Sequence, residues 1–494
     1  MSAPRTVPVD ETTARGFLPP AAVYIDGEYV TEAGGERHEH VHPGDGQPLG
    51  EWSLAGADDV DRAVRSARAA QQVWAALTPA QRRDTLLTVA EAYRAHHVEL
   101  AAVAALEMGM PIRTAVAGTL GAVEWFRYYA GWADKIEGLV APVPGTHDYA
   151  IPQPYGVVGA IIPWNGPAMG LSVKVAPALA AGNAVVLKPS DFAPLSGGLF
   201  AKVATDAGLP PGLFNVVTGG PAVGAALCAH PGVDVISFTG GNVAAREVGT
   251  IAAQRAVPTV LELGGKSASL VFADADVPRA AKLAAVLAVA QNSGQGCFLP
   301  TRLLVQRPVY EQALEIIQKT ASGFTLGRPF EPATVMGPVA NRQSYERILA
   351  IFERIGVDQD GELLTGGQRA GGDLADGFYI EPTVYYDVDP GSRLAREEVF
   401  GPVLSVLPFD DEDEAIRIAN DNDFGLAGYV WTENLRRAHR VAAALDAGYV
   451  SVNSLAGLPP AAPFGGWKAS GYGTEGGRQG LLQLMRTKNV HIGL

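Results

Sequence analysis

The chain is poor in cysteine: Cys228 and Cys297 are its only thiols in 494 residues. Two cysteines cannot build a disulfide framework, so the composition suits a reducing compartment. Long apolar runs are missing too. No segment approaches the roughly 18 uncharged apolar residues that a membrane span needs, and the alanine-rich "AAKLAAVLAVA" is short and broken by Lys282. The opening "MSAPRTVPVDETTARGFLPP" lacks the apolar core of a signal peptide and carries acids early. A basic block is absent as well. The net charge of −14 argues against nucleic acid or an anionic membrane surface as a partner. Together these absences predict a soluble, cytoplasmic protein, and the length predicts two or three domains with cores of their own. No internal repeat or low-complexity tail stands out.

The pattern that is present changes along the chain. The first 135 or so residues read as mainly helical: in "ADDVDRAVRSARAAQQVW", Val60, Ala63, Val64, Ala67 and Trp74 recur at helical spacing. Thr78, Pro79 and Gln81 predict an N-cap, a first helical position and a capping box. From residue 156 short branched runs alternate with helical stretches, beginning "VVGAIIPW", "NAVVLKPS", "FNVVTGG", "VDVISFTGG" and "PTVLELGGK". A second series starts at "ASLVFADAD" and runs to "GYVSVNS". Such alternation predicts parallel sheets covered on both faces, in two α/β domains with a cleft between them.

In an open parallel sheet ligands gather at the carboxyl ends of the strands. Asn165, Lys188, Asp191, Gly240, Gly241 and Glu262 fall at such ends. Each alone is most simply a loop residue; their joint placement is the signal. Gly240 and Gly241 open a helix beginning near Asn242, whose free N–H groups suit a phosphate, although the fingerprint GxGxxG is absent. Lys188 suits ribose hydroxyls, and Asp191 can accept from a 2′-OH while repelling a 2′-phosphate, which favours NAD over NADP. Glu262 is either a general base for water or the partner of nearby Lys266. Cys297 follows a small glycine-rich turn, "QNSGQGC", that leaves room for substrate and cofactor, whereas Cys228 sits on an apolar helix and reads as core.

The pieces "PWN" at 163–165, "KPSD" at 188–191, "FTGG" at 238–241, "LELGGK" at 261–266, "GQGC" at 294–297, "EEVFGPV" at 397–403 and "PFGGWKASG" at 463–471 occur in one order and spacing. In these pieces the chain resembles the aldehyde dehydrogenase superfamily over essentially its whole length, as it does in "RYYAGWADKI" and "EPTV". The resemblance implies an α/β protein with a Rossmann-like nicotinamide-binding domain (1–135 and 156–262), an α/β catalytic domain (263–469) and a small β oligomerisation element (136–155 and 470–494). It further implies a homodimer or homotetramer that oxidises a small-molecule aldehyde with NAD, NADP being less favoured, and needs no metal.

Carried over motif by motif, the resemblance makes Cys297 the nucleophile that forms a thiohemiacetal and then a thioester. The Asn165 amide and the Cys297 backbone N–H would hold the oxyanion, each such donor being worth about 2.7–4 kcal/mol. Glu262 would activate the hydrolytic water, and Lys174 with Glu475 would form a charged pair linked to proton movement. Trp164, Lys188, Asp191, Gly240, Gly241, Leu263, Gly264, Glu398 and Phe400 would contact the cofactor. Of these, Glu398 matches the residue at the nicotinamide ribose and Phe400 the aromatic near its ring.

The departures from the family pattern are local. Gly241, Asn242 and Ala245 stand where the family commonly has serine, threonine and glycine; Asp191 is one methylene shorter than the usual glutamate; and Thr474 replaces an arginine. After "PWN", Gly166, Gly170 and Val173 stand where bulky aromatics are frequent, which predicts a wide channel and a bulky apolar or aromatic aldehyde unless Trp164 or Phe464 fills the space. Two alternatives remain, an enzyme that passes the acyl group to coenzyme A and a non-catalytic ligand-binding relative. Retention of Glu262 argues against the first, and retention of Cys297, Asn165 and Glu262 together argues against the second.

Overall fold

The computed structural model describes residues 9–20, 22–454 and 457–493. Residues 1–8 of the stretch read against a signal peptide lie outside this range. Within it, no helix is long and apolar enough to cross a membrane.

Two parallel sheets dominate. The first is built on Val157–Ile161, Ala184–Lys188, Phe214–Val216, Val235–Thr239 and Thr259–Glu262, which are nearly all buried, as strands covered on both faces must be. The chain starts at Val157–Ile161, steps outward through the next two strands, then returns to add Val235–Thr239 and Thr259–Glu262 on the other side. That reversal creates a switch point beside Val157–Ile161, and helices diverging there leave a crevice at the strand ends. Short antiparallel strands extend the sheet at both edges: Val23–Ile25 with Glu28–Val30 at one, Gly471–Tyr472 at the other.

The second sheet aligns Thr383–Tyr386, Val403–Phe409, Arg302–Gln306, Ala268–Val271, Ala427–Trp431 and Tyr449–Val452 in parallel, with Glu362–Thr365 antiparallel at one edge. A third, antiparallel sheet pairs Met485–Gly493 with Thr146–Pro154 and the latter with Leu139–Ala141. Within the C-terminal stretch assigned to the β element, 470–494, Gly471–Tyr472 thus belong to the edge of the first sheet, and the chain reaches the third only at Met485–Gly493.

The helical reading of the N-terminal part holds for Ala57–Ala76, Pro79–Ala95, His97–Met108 and Ile112–Ala130. The expected face of the first is inside, and its Trp74 is fully buried with the indole N–H donated to Leu179 O at 2.8 Å. Burying a side chain of that size is worth about 1.5–3 kcal/mol, and the bond ties this helix to Pro167–Ala180. The Thr78–Gln81 capping box is formed. Four strands were not anticipated there: Val23–Ile25, Glu28–Val30, Arg37–Val41 and Pro48–Ser53. The first pair has only three residues per strand. In the second, Arg37 and Glu39 are exposed and His40 is buried, but the inward positions of Arg37–Val41 are histidines, so the sequence shows no alternation of apolar with polar residues.

Candidate active site

The strand register gathers the expected residues at one rim. Ile161 pairs with Lys188 and with Phe238, and Thr239 pairs with Glu262. Trp164–Asn165, Lys188–Asp191, Gly240–Gly241 and Glu262–Gly264 therefore all leave the same edge of the first sheet.

Cys297 reaches that rim from the other side through an unusual backbone. The helix Val277–Ala285 runs into a π-helical turn, Val286–Ala290, and then Asn292, Ser293 and Gly294 take successive left-handed conformations with φ 49°, 52° and 70°. For the two non-glycine residues this is strained, and tertiary bonds hold the turn. Ser293 Oγ donates to Gly337 O at 2.7 Å, Gln295 Oε1 accepts from Ala340 N at 3.0 Å, and Tyr429 OH donates to Phe298 O at 2.6 Å. Gly294 is required, because a Cβ there would overlap the Gly401 carbonyl. π-turns of this kind recur at functional sites, and here the turn delivers Cys297, half-buried, to an open space.

That space is a cavity of about 430 Å3 whose lining includes Cys297, Asn165, Glu262 and Glu475. Asn165 is fixed on both sides: its Nδ2 donates to Gln295 O at 3.1 Å, and its backbone carbonyl accepts from Asn292 Nδ2 at 2.7 Å. A primary amide has two hydrogens, so one remains for a ligand. Burial pushes the Cys297 thiol up to about 12, the Glu398 and Glu262 carboxylates add to the rise, and the N–H groups of Cys297 and Phe298 pull against it. The resting side chain is a protonated thiol with backbone donors around its sulfur.

Glu262 is buried, and neither of its carboxylate oxygens has a partner among the described residues. Its suggested ion pair with Lys266 is not formed, since the Lys266 ammonium is also without a partner. Burial raises the Glu262 carboxyl well above the usual range; Glu475 raises it further and Lys174 opposes this. A carboxylate whose proton affinity is shifted toward neutrality suits general-base work. Lys174, fully enclosed on Pro167–Ala180, donates to Glu475 Oε1 at 2.7 Å and to Ser237 Oγ at 2.9 Å. It stands behind Glu475 and outside the lining of the main cavity.

The residues expected at a cofactor occupy the same rim. Trp164 meets Phe400 edge to face at 5.4 Å, with Phe400 held at φ 50°. Glu398 Oε1 accepts from Gly265 N at 2.9 Å, and a Cβ on Gly264 would overlap the Glu398 carboxylate, so this glycine permits the approach. Burial raises the Glu398 carboxyl, with the Gly265 N–H, Lys266 and Arg347 opposing. Leu263 N donates to Ser470 O at 3.0 Å. Burial lowers the Lys188 ammonium and Asp191 opposes this. Gly240 N donates to Glu262 O at 3.1 Å, and Gly241 caps the helix Asn242–Arg255 without a side chain, with open space where its Cβ would be.

Sequence reasoning missed several participants. Ser237 was hidden in a buried strand, although a lone polar residue in "VISFT" was a usable signal. Asn292 and Gln295 hold Asn165 and the turn through hydrogen bonds that no sequence period announces. Met110, Thr114 and Trp125 line the cavity from the N-terminal helical part, which the alternating α/β pattern gave no reason to inspect.

The aldehyde dehydrogenase family model matches residues 29–490. An aldehyde dehydrogenase-like protein of Schizosaccharomyces pombe is 38% identical over 100% of this chain and 99% of its own length. Among solved structures, a cysteine-to-alanine mutant of indole-3-acetaldehyde dehydrogenase of P. syringae, in complex with NAD+ and IAA, is 37% identical with a TM-score of 0.95, covering 98% of this chain and 100% of that one. Betaine aldehyde dehydrogenase of Staphylococcus aureus, in complex with NAD+, is 33% identical with a TM-score of 0.94, covering 98% and 97%. The match in sequence and in fold extends over nearly every element that frames the cavity, and the chain belongs to the aldehyde dehydrogenase family.

Proposed function

We propose that this enzyme oxidises bulky apolar or aromatic aldehydes to carboxylic acids with NAD, through a thiohemiacetal and a thioester on Cys297. The observation that carries the reading is the common cavity of Cys297, Asn165 and Glu262. Cys297 Sγ attacks the carbonyl carbon, and its proton passes through water in the cavity to solvent. Asn165 Nδ2 and the Cys297 N–H receive the negative charge that develops on the oxygen. A bound NAD would supply the hydride acceptor for the substrate carbon. Glu262 takes a proton from the water that opens the thioester and frees the acid, and Glu475 with Lys174 carries that proton onward.

The residues fit such a cofactor. Asp191 offers a carboxylate for a ribose 2′-OH that would repel a 2′-phosphate, Lys188 stands beside it, and the uncapped N–H groups at Gly241 suit a pyrophosphate without the usual serine hydroxyl. Trp164, Leu263 and Gly264 would border the cofactor, Glu398 would hold the nicotinamide ribose, and Phe400 would face the ring. NAD-complexed relatives of the same fold support this choice.

Substrate class follows from the walls. Gly166, Gly170 and Val173 all line the cavity; a Cβ on Gly166 would meet nothing within 4 Å, and one on Gly170 only Ile162 at 3.7 Å. Trp125, Met169, Phe298 and Leu458 make the remaining surface largely apolar, and among the described residues no lysine or arginine lines it to receive a substrate carboxylate. The edge strand Leu139–Ala141 leaves Leu139 and Val140 exposed and supports association with a second copy. The domain ranges 1–135 with 156–262, 263–469, and 136–155 with 470–494 are retained within this reading.

The test is aldehyde-dependent formation of NADH with phenylacetaldehyde and acetaldehyde, with and without coenzyme A. Faster turnover of phenylacetaldehyde to the free acid is expected. A thioester product with coenzyme A would shift the reading to acyl transfer, and no aldehyde-dependent NADH would leave a non-catalytic relative.

A further inference from the structure

One buried acid of the N-terminal helices lines no part of the cavity that holds Cys297. Glu107, fully enclosed, lies in the last turn of the helix His97–Met108. Its carboxylate reaches across to the segment that follows the strand Ala184–Lys188. There it accepts from Leu195 N at 2.7 Å, from Ser196 N at 3.3 Å and from Ser196 Oγ. Those groups open the helix Ser196–Asp206, which has no side-chain cap of its own. The first N–H groups of a helix lack intrahelical partners and carry positive partial charge, so a carboxylate from elsewhere in the chain fills that role. Burial pushes the Glu107 carboxyl up to about 7, and the Ser196 hydroxyl and the Leu195 and Ser196 N–H groups oppose this.

Glu107 is itself held from behind. His40 Nε2 donates to Glu107 O at 2.9 Å, His42 Nδ1 to Leu106 O at 2.8 Å, and Gly109 N, at φ 73°, to Ala105 O at 2.9 Å. Three of the last four carbonyls of that helix are thereby satisfied. Both imidazoles are buried, so the acid is delivered on a rigid support.

What the acid holds is the far end of the stretch expected at the adenosine ribose. At the near end Lys188 O accepts from Ile162 N at 3.1 Å. Between the two ends Ser190 O accepts from Ala193 N at 3.0 Å, and Ser190 Oγ donates to Asp191 Oδ1 and accepts from Phe192 N, both at 3.2 Å. Thr218 Oγ1 donates to Pro194 O at 3.2 Å from outside the stretch. Of the anchors from outside, the Ile162 N–H, the Thr218 hydroxyl and Glu107, only the last brings a formal charge, and charge-assisted bonds are roughly twice as strong as neutral ones.

We propose that Glu107 is a positioning residue for the cofactor: it fixes the 188–195 stretch so that Lys188 and Asp191 stand in place for the adenosine ribose before NAD arrives. This rests on the cofactor reading given above and adds to it a residue remote from the reacting atoms. The same contact has a second effect. With a carboxylate seated at its N-terminus, the helix Ser196–Asp206 cannot receive the pyrophosphate, and the uncapped helix Asn242–Arg255 is left as the place for it.

Calorimetry with AMP, which carries the adenosine half of the cofactor alone, tests this on the full-length protein above neutral pH. Glu107→Gln keeps the shape but turns an NH2 toward N–H donors, so the AMP Kd should rise by about tenfold and the NAD Kd with it. The rate of Cys297 alkylation by iodoacetamide should not change, because that turn has its own anchors. A cap that serves only stability would lower the unfolding midpoint and leave the AMP Kd where it was; that result overturns the proposal. So does an alkylation rate altered together with the AMP Kd, which would mean general loosening. Should Glu107→Gln not fold, Ser196→Ala decides, since it removes one bond to the carboxylate; an AMP Kd that does not rise there overturns the proposal too. Wild-type protein that binds neither AMP nor NAD would refute the cofactor reading and this role together, whereas wild-type binding with an unchanged variant refutes only the role of Glu107.

Discussion

The two cysteines make an informative pair. Cys228 lies on the helix Pro221–Ala229, fully buried, with its thiol pushed up to about 11 by burial and Arg255 opposing. Cys297 is pushed up to about 12. Thiol acidity therefore does not separate a packing cysteine from the proposed nucleophile, and both are more reluctant to ionise than a free thiol. The surroundings separate them. Cys228 is enclosed by core side chains, whereas Cys297 borders a cavity with an amide, a carboxyl lacking partners and backbone N–H groups near its sulfur. What marks the second is access to an electrophile and to donors for the charge that forms on it.

That contrast can be broken by exchanging the parts. Cys297→Ala should lower aldehyde oxidation by at least ~10³-fold while calorimetry still detects NAD binding; residual turnover near the wild-type rate would move the chemistry elsewhere. Glu262→Gln should cut steady-state turnover by ~10²-fold yet preserve a first burst of NADH in stopped flow, because the carboxylate is needed after the hydride has left. Loss of the burst would place Glu262 before the thioester. Gly166→Phe should shift the kcat/KM ratio from phenylacetaldehyde toward acetaldehyde by about tenfold or more, and an unchanged ratio would show that this wall does not meet substrate.

The smaller effects sharpen the electrostatics. In the free enzyme, the rate of Cys297 alkylation by iodoacetamide should keep climbing with pH through 9.0, the ordinary thiol value, because the folded thiol titrates well above it. A plateau near that value would contradict the geometry. Glu398→Gln removes a negative charge that disfavours the thiolate, so its thiol pKa should fall and alkylation at fixed pH should accelerate, by less than ~10-fold. Cys228→Ala should leave kcat unchanged and cost about 1 kcal/mol of stability, measured by denaturant unfolding.

Much of the frame was legible because strand ends and short motifs are local. "VVGAIIPWN" and "PTVLELGG" name their own strands and the turns that follow, and parallel register then brings Asn165 and Glu262 to one rim. Tertiary closure was not legible in the same way. Lys174, Ser237 and Glu475 meet across distant parts of the sequence, and only packing decides that the lysine takes the glutamate and the serine together. The left-handed run at 292–294 is equally silent, since Asn292 and Ser293 carry no rule that forces positive φ without Gly337, Ala340 and Gly401 around them. The unformed Glu262–Lys266 pair has the same origin: four residues apart in sequence, they are separated by a glycine turn, and among the described residues neither charged group finds a partner.

The Lys174–Glu475 pair also bears on biosynthesis. Glu475 leaves the ribosome long after Cys297, and Gly471–Tyr472 can extend the first sheet only then. A nascent chain that already owns Cys297 lacks the Glu475 side of the cavity until residue 475 has been added.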